Sequence, residues 1–343
     1  MTSQIAYYRP IARIGPDRPD GALPLAGTPA WFDHVEVLYR GAPGKVIAAA
    51  DLPEPARARL TGVRAPLAGL TLDRARIMGV LNVTPDSFSD GGWYHDPGKA
   101  ADRAGAILAE GADILDIGGE STRPGAAEVP VEEEMQRTVP LIGAITAAHP
   151  AAVISIDTRK APVGAAALEA GAAMLNDVAA FTFDPGMADL AARAAVPVCL
   201  MHAQGDPATM QEDPRYDDVL LDVYDFLADR VAAAEAAGIP RDRVLVDPGI
   251  GFGKTVAHNL ALIRGLSLFH GLGCAVLLGV SRKRFIGTVS GEETAAKRGP
   301  GSVAVALEGL RQGVHVLRVH DIAETCQAVA LWRAVHGLDD RWS

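Results

Sequence analysis

Eight short apolar runs alternating with amphipathic helical stretches predict an α/β chain folded as a (β/α)8 TIM barrel behind an N-terminal extension. Three observations carry this. From Ile77 onward each apolar run is followed by an Ala-rich stretch with helical spacing, and such alternation forces a parallel sheet. The units number eight over roughly 265 residues, the size of a (β/α)8 barrel. Every run carries a hydrogen-bonding or ionisable residue at its end or one position before it, at the end where barrels of this kind carry their sites.

The runs are Met78–Asn82, Ile114–Ile117, Val153–Asp157, Ala173–Asn176, Val196–His202, Val244–Asp247, Ala275–Ser281 and Val314–His320. Helical spacing is read at Lys99–Glu110, Val131–Ala148, Pro162–Ala170, Met187–Ala194, Asp218–Ala237, Asn259–Leu266, Ser302–Gln312 and Ala323–His336. Gly111, Gly171, Gly238 and Gly313 stand where helix C-caps are expected. The runner-up, an open doubly wound sheet, lacks its fingerprint. In Gly249–Thr255 (GIGFGKT), Lys254 replaces the third glycine of GxGxxG, and Pro248 replaces the first glycine of GxxxxGK.

Residues 1–67 differ from the rest. Prolines from Pro10 to Pro66 break almost every candidate element, leaving short structure expected around Trp31–Leu38 and Leu52–Leu60. The segment reads as an appendage packed on a barrel of residues 68–338, with Leu67–Ile77 as a hairpin leading into the first strand. A hydrophobic fraction of 49%, a charged fraction of 22% and a net charge of −10 describe a globular chain without the basic face that nucleic-acid binding needs. Cys199, Cys274 and Cys326 form no CxxC pair, and no basic leader or long apolar span is present, so a cytoplasmic chain without membrane association is expected.

The strand ends divide into two chemical sets. Asp157, Asn176 and Asp247 offer carboxylates and an amide suited to the edge of a pterin or purine, because a carboxylate accepts paired N–H bonds from a 2-amino-pyrimidinone. Lys283 adds a cation near the ring. Arg318 and His320 lie two apart on one run, so their side chains are expected to point the same way. With Asn82, Thr122 and Arg123 they suit a diphosphate, and Asn82 can reach a bridging Mg²⁺ that takes few protein ligands. Asp116, Gln204, Ser281, Arg282 and Asp321 also fall at strand ends, and His202 reads equally as a core residue.

With these residues assembled, the chain resembles the dihydropteroate synthases. The matching stretches are MGVLNVTPDSFSDGG (78–92), DILDIGGESTRPGA (113–126), ISIDTR (154–159), LNDV (175–178), CLMHAQG (199–205), VDPGIGFGK (246–254), GVSRK (279–283) and RVHD (318–321). They lie within about residues 68–338, and residues 1–67 fall outside them. The resemblance implies a transferase of folate biosynthesis. It would condense 7,8-dihydropterin-6-ylmethyl diphosphate with 4-aminobenzoate to give 7,8-dihydropteroate and diphosphate.

By the same resemblance Asp157, Asn176, Asp247 and Lys283 correspond to the pterin site, and Asn82, Thr122, Arg318 and His320 to the diphosphate and Mg²⁺ side. Thr122, Pro124, Phe252 and Lys283 correspond to the aminobenzoate pocket. Asp157, Lys283, Arg318 and His320 are the expected catalytic set, and a homodimer through the later helices is implied. Arg284 stands where some family members carry Ser. The loops 83–96 and 118–129 are expected to close over the site. Pterin-binding barrels that transfer a methyl group would share the Asp/Asn/Asp set without needing the anion set, and a non-catalytic pterin binder would be expected to lose strand-end groups.

Overall fold

The computed structural model describes residues 5–83, 97–121, 128–205 and 210–338. The expected loop 83–96 beyond Val83, the centre of loop 118–129 and the site residues Thr122, Arg123 and Pro124 lie outside the described residues.

In chain order the extension holds β1 (Tyr7–Pro10), β2 (Leu23–Pro24), β3 (Trp31–Phe32), β4 (His34–Tyr39), β5 (Ala42–Ala48) and α1 (Glu54–Thr61). The remainder is β6 (Arg76–Asn82), α2 (Pro97–Ala109), β7 (Ile114–Gly118), α3 (Val131–Ala148), β8 (Val153–Asp157), α4 (Ala161–Glu169), β9 (Met174–Asp177), α5 (Gly186–Ala194), β10 (Val198–Met201), α6 (Val219–Ala236), β11 (Val244–Asp247), α7 (Val256–Arg264), β12 (Ala275–Leu278), α8 (Arg284–Ser290), α9 (Gly299–Arg311), β13 (Val316–Val319) and α10 (Ile322–Val335). Strands β6 to β13 close into an eight-stranded barrel of parallel neighbours, with β9 pairing β10 and β13 pairing β6. The fold expected from the alternation is therefore the one observed.

The strands β1 and β5 of the extension lie outside the stretches where structure is expected, β10, β12 and β13 are shorter than the runs read for them, and two further stretches depart from the sequence reading. The expected hairpin over Leu67–Ile77 is a single tight pairing of Leu67 with Leu70, because the Arg76 side chain takes Thr71 and Asp73 as partners and holds the following residues in an irregular turn. The helix α8 is too short to leave a periodic signal.

Strand periodicity explains how the barrel is filled. On β7, Leu115 and Ile117 face the helical layer while Ile114 joins an inner cluster with Met78, Met174, Cys199, Leu245, Leu277 and Val316. Leu67 and Leu72 complete that cluster at the N-terminal end of the strands. Two residues further along β7, β9, β11 and β13, the same inward phase places Asp116, Asn176, Asp247 and Arg318. An apolar floor thus carries a polar layer, with the helices covering the outside.

The extension forms a three-stranded antiparallel sheet in the order β1-β4-β5, a β2–β3 pair and its own apolar cluster around Leu25, Phe32, Val35 and Leu60. It docks across the closed end of the barrel. The buried Arg64 donates to the carbonyls of His270 (3.1 Å) and Cys274 (3.0 Å). His315 accepts the Val276 N–H at Nδ1 (3.0 Å), which leaves Nε2–H to donate to the Ala26 carbonyl (3.1 Å). At the rim Arg40 pairs with Asp222 (2.6 Å) and Asp225 (2.7 Å) on α6, and the Tyr7 hydroxyl donates to Asp225 (2.9 Å). Among the described residues no helix is long and apolar enough to cross a membrane.

Candidate active site

The centre of the barrel mouth is a knot of opposite charges. Arg318 donates from Nε to Asp116 (2.6 Å) and from Nη2 to Asp157 (2.7 Å), spanning from β13 to β7 and β8. Asp116 is fully buried, and it also accepts from the Asn176 amide nitrogen at 3.2 Å and 3.3 Å. Burial pushes the Asp157 carboxyl up to about 7; the Arg318 guanidinium pulls it down and Asp116 adds to the rise. Arg318, expected on the diphosphate side, thus contacts Asp157, expected on the pterin side, so the two expected sets meet at this pair.

Asp247 ends β11 on the same inward phase, and its Oδ1 accepts the Gly249 N–H at 2.7 Å. Burial pushes its carboxyl up to about 6, opposed by that hydrogen bond and by Lys283. The loop after β11 is pressed against the end of β10. Gly249 and Gly253 have φ of +65° and +62°, and side chains there would strike the carbonyl oxygens of His202 and Gln204. At the tip of this loop the centre of the Phe252 ring lies 3.9 Å from the Lys283 ammonium, so two of the four residues expected at the aminobenzoate pocket are in contact.

His320 follows β13. Its backbone N–H donates to the Ser281 oxygen (3.1 Å), and the same oxygen lies 3.0 Å from the ring Nδ1. Burial, with Arg318, Arg282 and Lys283 nearby, pushes the imidazole down to about 3, so the ring is neutral near pH 7. Asn82 ends β6 with its Oδ1 beside Gly118 and close to Asp157, since a Cβ built on Gly118 would lie 3.1 Å from Asn82 Oδ1 and 3.5 Å from Asp157 Cβ. Arg284 is exposed on the first turn of α8.

His202 and Gln204 take supporting places. The buried His202 ring packs edge-on against Phe226 and meets Lys254, and burial with that ammonium pushes it down to about 2. The Gln204 amide exchanges two hydrogen bonds with the Arg215 backbone, at 2.9 Å and 3.0 Å. Below the expected loop 118–129, Lys160 bridges Glu120 (2.5 Å) and Glu134 (2.7 Å), while Arg159 pairs with Glu120 (2.9 Å) and covers the Phe183 ring. Among the described residues no group of three or more His, Cys, Asp or Glu is placed to hold a metal ion.

Comparison with known proteins converges on one family. A family model described as pterin binding enzyme matches residues 78–320. The dihydropteroate synthase of Escherichia coli K12 is 45% identical over 265 residues, covering 77% of this chain and 93% of the relative. The chain belongs to the dihydropteroate synthase family. Among solved members, the Xanthomonas albilineans dihydropteroate synthase with 4-aminobenzoic acid superposes with a TM-score of 0.75 at 48% identity, covering 80% of this chain and 99% of that one. The same organism's enzyme in complex with 7,8-dihydropteroate gives a TM-score of 0.71 at 46% identity, covering 79% and 97%. Against this family background, two groups stand out that strand-end reading left without a role. Asp116 shares the inward phase of Asp157 and Asp247 but serves protein partners, and Lys254 is buried behind the Phe252 loop.

Proposed function

We propose that this chain condenses 7,8-dihydropterin-6-ylmethyl diphosphate with 4-aminobenzoate, releasing 7,8-dihydropteroate and diphosphate. The observation that carries the reading is the polar layer of Asp116, Asp157, Asn176, Asp247 and Arg318 beside the Phe252–Lys283 contact. In this reading Asp157, Asn176, Asp247 and Lys283 bind the pterin, and Thr122, Pro124, Phe252 and Lys283 bind the aminobenzoate. Asn82, Thr122, Arg318 and His320 receive the diphosphate.

The aryl amine is neutral near pH 7, so the site needs no strong general base. The demanding step is breaking the C–O bond to diphosphate. Ionised Asp157 stabilises the cation that develops across the pterin ring, while Arg318 and the His320 ring stabilise charge on the departing oxygens. The Asn82 amide oxygen is a hard donor at the barrel mouth and fits Mg²⁺, which needs few protein ligands when diphosphate and water supply the others. Mg²⁺ bound there would supply positive charge to the diphosphate.

We take residues 68–338 as the catalytic unit and residues 1–67 as the cover of its closed end. A homodimer is proposed through the later helices, supported by the exposed Leu331 and Val335 one turn apart on α10. A reducing cytoplasmic setting agrees with the buried free thiols of Cys199 and Cys274. The deciding experiment supplies purified protein with the pterin diphosphate, 4-aminobenzoate and Mg²⁺ and follows diphosphate and dihydropteroate together. Stoichiometric release is expected, and folded protein that releases neither overturns the reading.

A further inference from the structure

We infer that Lys254 is a positioning residue for the aminobenzoate side of the site, tying the loop after β11 to the end of β10 and holding Phe252 against Lys283. The inference rests on the function proposed above, in which Phe252 and Lys283 face the aminobenzoate.

Lys254 is only 3% exposed, and no carboxylate is among its hydrogen-bond partners. Its Nζ lies 2.8 Å from the Phe252 carbonyl oxygen, 3.3 Å from the His202 carbonyl oxygen and 2.8 Å from His202 Nδ1. Three acceptors match the three donors of an ammonium, and His202 must then be the tautomer protonated at Nε2. Burying an ammonium is costly, and burial pulls the Lys254 pKa well below its ordinary value, with the nearby Asp247 carboxylate opposing the fall without a hydrogen bond to it. An apolar side chain of the same length would fill the space at lower cost but could not donate.

The surrounding loop shows what the donation accomplishes. Gln211 holds the Gly251 carbonyl (2.6 Å), and the Tyr216 hydroxyl holds that of Gly253 (2.7 Å). Between them the Phe252 carbonyl is held by Lys254, while the Phe252 ring projects to the other side over Lys283. The Lys283 stem lies against Gly251, where a Cβ would come within 3.1 Å of Lys283 Cδ. The Lys254 ammonium therefore fixes the backbone from which both walls of the Lys283 groove are built. Next in sequence, Thr255 caps α7 through the His258 N–H, so the lysine cannot move far without disturbing that helix start.

The test is steady-state kinetics of the full chain bearing Lys254→Met, Phe252→Ala or both. Lys254→Met should raise the aminobenzoate KM about tenfold, with the pterin diphosphate KM within about twofold. The double variant should be no worse than Phe252→Ala, because both changes act through one ring. Lys254→Gln, which keeps an N–H donor, should recover part of the loss. A raised aminobenzoate KM in Phe252→Ala with an unchanged one in Lys254→Met overturns the inference alone. An unchanged KM in Phe252→Ala overturns the aminobenzoate assignment beneath it. Equal rises in both KM values, additive effects in the double variant, or failure of both Lys254 variants to fold would make Lys254 a residue of general stability and overturn its positioning role.

Discussion

Arg318 Nη2 and Asp157 Oδ2 meet at 2.7 Å in the barrel mouth, and this pair governs how the site responds to pH. Burial pushes the Asp157 carboxyl up to about 7, so the ionised form that would stabilise a pterin cation accumulates as pH rises through that value. The rate constant kcat/KM for the pterin diphosphate is expected to climb on the same limb, measured from about pH 5 to about pH 9. Asp157→Asn should remove the limb and lower kcat by about 100-fold or more, with a smaller loss of pterin affinity. Comparable losses in both would reduce Asp157 to a binding group. The stability sign follows from the same shift. The folded chain holds this proton between the unfolded value of about 3.9 and the folded one, so stability falls as pH rises through the window and Asp157→Asn should flatten that slope.

Asp116 anchors Arg318 and Asn176 together. Asp116→Ala leaves Arg318 Nε and the Asn176 amide without their shared acceptor while Asp157 still holds Arg318 Nη2, and is expected to cost about 1–3 kcal/mol in urea denaturation. Asp116→Asn should fold better and weaken the pterin diphosphate more than the aminobenzoate. Equal weakening of both substrates would contradict the anchoring role.

Lys160 lies between Glu120 and Glu134 with almost no exposure. Burial pushes the Glu134 carboxyl up and Lys160 opposes the rise, so Lys160→Met leaves Glu134 without that cation while Glu120 keeps Arg159. A destabilisation of about 3–5 kcal/mol is expected, partly recovered when Glu134→Gln is added. Denaturant midpoints of the single and double variants would show no such recovery if the two groups were independent.

The neutral His315 predicts acid sensitivity at the closed end of the barrel. Burial pushes its imidazole down to about 3. The stability it contributes is therefore complete above the unfolded value of about 6.5 and is lost as pH falls from there toward the folded value. His270, in edge-on contact with it, is pushed down in the same sense by burial. Thermal melts should fall on acidification through this window, and less steeply in His315→Gln.

Removing residues 1–67 takes away Leu67 from the inner cluster and Arg64 from its bonds to the carbonyls of His270 and Cys274. The shortened chain is expected to lose soluble folded protein or to melt far lower, read by circular dichroism. An unchanged melt with unchanged turnover would make the extension dispensable.

The barrel was legible in the sequence because parallel strands buried on both faces read as unbroken apolar runs, and β8, α3 and β11 keep the expected limits. The strand-end residues were legible because a side chain at the end of such a run has few places to go. The direction of Arg318 was not, since its spacing from His320 fixes a face of the strand while the partners across the barrel decide where a long side chain ends. Lys254 was hidden for a related reason. Its acceptors are backbone carbonyls and one histidine nitrogen, and carbonyl groups carry no residue-type signal.

The two-residue phase inside the barrel has a consequence for what changes in length the chain can absorb. Leu115 and Ile117 face the helices, while Ile114 and Asp116 face the interior. One residue added within β7 would exchange these faces, putting a leucine where Arg318 expects a carboxylate and a carboxylate among the helices. The same addition at the exposed turn around Gly291 moves no inward side chain. Scanning single-residue insertions along the chain should therefore recover the eight strands as eight intolerant windows, mapping the barrel from viability alone.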